Sequence, residues 1–169
     1  DCKAWASRAT ILVKYQNYNI KRWAELVCSD TALESFGLVL KRPYFEWELS
    51  LATKVDSKYA LEAFKKVLKI KHLYVVLESA TQINTEYALA AFNIINDNNF
   101  EYWEIEWTSK VNSPQALEAF KLVTKDHTWR EGELKSASDV NTSFALGAFK
   151  KVMLDKSNVP DILKLKWAS

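Results

Sequence analysis

A five-residue phrase recurs along this chain: ALESF at 32–36, ALEAF at 60–64, ALAAF at 88–92, ALEAF at 116–120 and ALGAF at 145–149. Its phenylalanines, Phe36, Phe64, Phe92, Phe120 and Phe149, stand 28, 28, 28 and 29 residues apart. Two more columns keep the same phase. Nine residues before each Phe lie Val27, Val55, Ile83, Val111 and Val140, and seven before it lie Ser29, Ser57, Thr85, Ser113 and Thr142. A repeat constrains the fold more than any local propensity, because each unit must pack against copies of itself.

Each column implies a physical role. A hydroxyl just ahead of an amphipathic run is a helix N-cap, and Pro114 directly after Ser113 occupies the first helical position, which tolerates a missing N–H. In the second repeat Ala60, Leu61, Phe64, Val67 and Leu68 fall on one helical face, with Glu62, Lys65 and Lys66 on the other. Upstream of each phrase the pattern shortens to alternation, clearest in Trp47-Glu48-Leu49-Ser50-Leu51 and Trp103-Glu104-Ile105-Glu106-Trp107. Val75, Leu77 and Ser79, and then Gly132, Leu134 and Ser136, keep that phase. Alternation predicts half-buried strands. The unit expected is strand, turn, helix, loop, ending on a bare C-terminal strand over 162–169. The fold class is then α/β: a strand–helix solenoid of about five repeats, with a parallel sheet on the concave face and helices outside. Residues 1–19 form an N-terminal cap segment, with Thr10–Val13 as its strand, and 20–169 form a single solenoid domain.

The period, the L-x-L phrases (Leu49 and Leu51; Leu163 and Leu165) and the ALEAF phrase resemble the leucine-rich repeat of the ribonuclease-inhibitor-like class. The resemblance implies a horseshoe that binds macromolecules on its concave sheet and performs no catalysis. An Asn-like column, Cys28, Asp56, Asn84, Asn112 and Asn141, is suited to a side-chain ladder or an Asx-type turn closing each strand.

With Trp47, Leu49 and Leu51 inward, the alternate residues line the concave sheet. The candidate partner-binding set is Glu46, Glu48, Tyr74, Glu78, Tyr102, Glu104, Glu106, Glu131 and Glu133. Like charges on adjacent strands cost stability, so an acidic stripe points to a cationic protein or peptide, with Tyr74 and Tyr102 as aromatic anchors. The alternative is a structural protein that self-associates through its C-terminal edge strand.

Other classes are disfavoured. Lys and Arg number 23 against 21 acids, a net charge of +2 that gives no global pull toward nucleic acid. No apolar run reaches the roughly 20 residues of a membrane span, so no membrane insertion is expected. Three glycines exclude a glycine-rich phosphate loop, and His72 and His127 sit in no metal-ligand spacing. No catalytic motif, metal site or cofactor site is evident, and the expectation is a binding protein rather than an enzyme. Cys2 and Cys28 permit one disulfide, and Asn141-Thr142-Ser143 is an N-glycosylation sequon. Both suit a secreted protein, the alternative being a cytoplasmic fragment of a longer chain.

Overall fold

The computed structural model describes residues 2–14, 18–69, 74–97, 102–125 and 131–154. In chain order the helices are α1 (Cys2–Leu12), α2 (Tyr18–Ala24), α3 (Asp30–Leu40), α4 (Glu46–Ala52), α5 (Lys58–Val67), α6 (Tyr74–Thr81), α7 (Glu86–Asp97), α8 (Tyr102–Thr108), α9 (Pro114–Thr124), α10 (Glu131–Ser138) and α11 (Ser143–Leu154). No strand occurs among the described residues. The chain divides into two compact units, Asp1–Asn84 and Thr85–Ser169. Each unit stacks hairpins made of a long helix and the short helix that follows it. In the first, α3 packs on α4 and α5 on α6, while long helices neighbour long (α1, α3, α5) and short neighbour short (α2, α4, α6). In the second, α7 packs on α8 and α9 on α10, with α7, α9 and α11 side by side and α8 beside α10.

The repeat is therefore helix–turn–helix, and the expected α/β solenoid, its parallel sheet and the leucine-rich-repeat resemblance are overturned. The predicted strands are the short helices α4, α6, α8 and α10. Burial gives the reason. In α4 the interior residues are Glu48, Leu49, Leu51 and Ala52, a cluster on one helical face that alternation cannot produce. In α6 they include Leu77, Ala80 and Thr81, and in α10 Leu134, Ala137 and Ser138, both spaced i, i+3, i+4. The predicted capping strand Thr10–Val13 belongs to α1 and its last turn. The predicted terminal strand at 162–169, on which the self-association alternative rested, lies outside the described residues. The Asn-like column is exposed at every position and closes no strand.

The hydroxyl column performs two tasks at once. Ser29, Ser57, Thr85, Ser113 and Thr142 each accept the backbone N–H three residues on, at 2.9–3.1 Å, and so cap α3, α5, α7, α9 and α11. Four of these hydroxyls also donate to a backbone carbonyl of the next repeat: Ser29 to Val55 (3.2 Å), Ser57 to Ile83 (2.8 Å), Thr85 to Val111 (3.1 Å) and Ser113 to Val140 (3.1 Å). The acceptors are the apolar column itself, whose side chains are fully buried. One atom starts a helix and ties it to the following turn.

Beneath these ties lies the hydrophobic interior. Phe36 and Phe64 in the first unit, and Phe92, Phe120 and Phe149 in the second, have no solvent exposure. Surface charge adds register. Lys65 on α5 pairs with Glu34 on α3, and Lys150 on α11 pairs with Glu118 on α9, joining the Glu of one phrase to the Lys after the next Phe. Both pairs are half-exposed and contribute about 0–1 kcal/mol each.

Ser57→Ala removes a cap and an inter-repeat bond together and is expected to destabilise the first unit by about 1–2 kcal/mol in urea denaturation. Phe64→Ala opens a cavity in the same unit and is expected to cost about 3–5 kcal/mol.

Candidate interaction surface

The expected acidic stripe depended on every second residue facing one way. On a helix, residues two apart point to nearly opposite sides, and the nine candidates separate accordingly. Glu46, Tyr74, Glu106 and Glu131 are exposed, and Glu78 and Glu133 are half-buried. Glu48 and Glu104 are buried. The side chain of Tyr102 lies outside the described residues. Among the described residues there is no sheet to carry an acidic concave face, and Glu48 and Glu104 cannot meet a partner from the interior.

Glu48 has a structural role. Its carboxylate accepts Arg42 Nη2 at 2.7 Å and the backbone N–H of Phe45 at 2.9 Å. The second bond caps the first turn of α4, where Phe45 is the N-cap residue with an extended backbone. Buried carboxylates persist only when paired and hydrogen-bonded, and Arg42 supplies the pairing while remaining partly in water. Glu48 thereby fixes where Phe45 leaves the helix.

What it positions is a cluster of aromatic rings. Phe45, 63% exposed, lies nearly parallel to Trp47, with centroids 6.0 Å apart and planes 8° from parallel. Trp47 in turn meets Tyr74 of α6 edge-on, at 5.4 Å and 65°. Tyr74 is 45% exposed and Val75 beside it 40%. These apolar groups extend across the ends of two adjacent short helices.

Carboxylates border the rings. Glu46 accepts the indole N–H of Trp23 from α2 at 3.2 Å, and Glu78 accepts the phenol O–H of Tyr74 at 3.3 Å. Partial desolvation, then the negative charge of Glu78 and the hydrogen bond to it, hold the Tyr74 phenol above its ordinary pKa. Neither α4 nor α6 contains a Lys or Arg. Glu78 also lines an open polar cleft of about 360 Å³ with Lys54, Asp56, Thr81, Gln82 and Asn84.

Phe45, Trp47, Val75 and Trp23 were missing from the sequence-derived set, because alternation assigned Trp47 to the interior. A usable signal existed in the repeat phase: Tyr18, Tyr74 and Tyr102 all begin short helices, which marks that turn as an aromatic position. Among the described residues no group of three or more His, Cys, Asp or Glu side chains is placed to hold a metal ion. His72 and His127 lie outside the described residues. No described helix is long and apolar enough to cross a membrane. Cys2 and Cys28 are joined in a disulfide, and Asn141 is exposed in the turn between α10 and α11.

Comparison of the chain with family models, with curated proteins and with solved structures gives no match in any of the three.

Two outcomes test this geometry. Glu78→Gln removes the charge beside Tyr74 and is expected to lower the phenol pKa, read by ultraviolet titration. The sign follows from the raised value: the folded state holds the phenolic proton more tightly, so this contribution is complete below the ordinary tyrosine pKa and is lost as pH rises through the folded one. Glu48→Ala is expected to destabilise the first unit by about 1–3 kcal/mol, since Arg42 can partly return to water.

Proposed function

We propose that this chain is a non-catalytic helical repeat protein that holds a cationic peptide segment of a partner protein against the aromatic face of α4 and α6. The observation that carries this reading is the Phe45–Trp47–Tyr74 cluster, in which exposed Phe45 and Tyr74 flank half-buried Trp47 and the carboxylates of Glu46 and Glu78 border the rings. Single exposed apolar side chains are ordinary on a protein surface, but contiguous ones rimmed by polar groups mark contact sites. Trp and Tyr are enriched among the residues that dominate binding energy. A guanidinium or ammonium group over such rings gains cation–π attraction, and neighbouring carboxylates strengthen it. The second unit uses the same chemistry internally, where the Lys135 ammonium lies 5.7 Å from the Trp107 ring centroid.

A proposal for the location rests on separate features. A disulfide between exposed residues and an exposed sequon at Asn141 both fit an oxidising compartment, and they support the proposal of a secreted protein.

The test is a titration of the full chain with short arginine-rich and lysine-rich peptides, and with acidic peptides of matched length, followed by calorimetry at two salt concentrations. Cationic peptides are expected to bind and to weaken as salt rises. Trp47→Ala is expected to raise Kd by about tenfold or more while the far-ultraviolet circular dichroism stays unchanged. Equal binding of acidic and basic peptides, or an unaltered Kd in the Trp47→Ala protein, overturns the proposal.

A further inference from the structure

The inter-repeat hydrogen bonds have a fixed span. Ser29 to Val55, Ser57 to Ile83 and Thr85 to Val111 are each 26 residues apart, and Ser113 to Val140 is 27 because the last repeat is one residue longer. The Cys2–Cys28 disulfide also spans 26. It is displaced by one position at both ends: Cys2 is in phase with Asp30, the residue after Ser29, and Cys28 follows Val27 of the apolar column. A covalent bond thus takes the place, between α1 and the turn before α3, that a hydroxyl–carbonyl bond takes between later repeats.

Helix α1 packs on α3 and α2 but buries little of its own surface. Its only buried residue is Ala9, with Val13 just beyond its end, whereas α5 buries five residues. Ile11 and Leu12 are exposed. Ser7 and Thr10 bond back to the carbonyls of Lys3 and Ala6, a pattern that weakens rather than strengthens a helix. The ion pair from Arg8 to Asp30 is long, at 3.9 Å, and exposed. Eleven residues are too few for a helix to persist alone in water. Both cysteine residues are exposed.

We propose that the Cys2–Cys28 bond is a redox latch: oxidised, it keeps α1 on the flank of α3; reduced, it lets α1 unfold while α3 to α6 stay folded. A dithiol supplies the reaction. Its thiolate attacks one sulfur, the second thiolate resolves the mixed disulfide, and two electrons and two protons pass to Cys2 and Cys28 as the dithiol closes to its own disulfide.

The experiment is hydrogen exchange on the full chain before and after dithiothreitol, with thiol titration to count free cysteines, and on the Cys2→Ser/Cys28→Ser protein without reductant. The latch requires two titratable thiols and an exchange rate for residues 2–14 raised by about tenfold or more, with α3 and α5 unchanged in both preparations. Any of three results overturns it: α1 stays protected in the double-serine protein, protection is lost throughout α3–α6, or the bond resists dithiothreitol while the protein remains folded.

Discussion

The hydroxyl that caps α3, α5, α7, α9 and α11 is the interaction on which the repeat depends. Hydrophobic burial is non-directional, so a column of phenylalanines alone does not dictate how one hairpin meets the next. The hydroxyl does. By accepting an N–H of its own helix and donating to the carbonyl of Val55, Ile83, Val111 or Val140, it fixes the distance and register of the following turn. Serine and threonine are interchangeable here because only the oxygen is used. The backbone carbonyl that accepts the bond belongs to a residue whose side chain is in the interior, so polar register and apolar packing are set at a single position.

The surface has a similar dependence on a buried polar group. At one phase of the short helices stand Ile20, Glu48, Val76, Glu104 and Glu133, a mixture that only local partners reconcile. Where Arg42 is within reach, the carboxylate of Glu48 is satisfied and orders Phe45. The aromatic cluster then follows from geometry, since Phe45 aligned over Trp47 leaves Trp47 in edge contact with Tyr74. A buried carboxylate thus positions the rings at the surface.

The two helix classes were unequally legible. The long helices span ten to twelve residues with caps ahead of them, enough for a 3.6-residue period to declare itself. The short ones in α4 and α8 have seven residues. In so short a window positions i and i+4 coincide for strand and helix alike, and the decision falls to the residues between. Trp47, Leu49 and Leu51 suggest alternation; the burial of Glu48 and Ala52 excludes it. A carboxylate at the deciding position reads as solvent-facing by default, and that default displaced the aromatic face from the candidate set.

From residue order alone came the period, the hydroxyl caps, and the apolar and phenylalanine columns, because each acts within one helix or recurs at a constant phase. Folding decided that the intervening segments are helical, that Glu48 and Glu104 face inward, that Trp47 meets Tyr74 27 residues on, and that Cys2 pairs with Cys28. The physical reason is length. A seven-residue helix has no independent stability, so its conformation and the faces it presents are imposed by the neighbours it packs against, and those neighbours are distant in sequence.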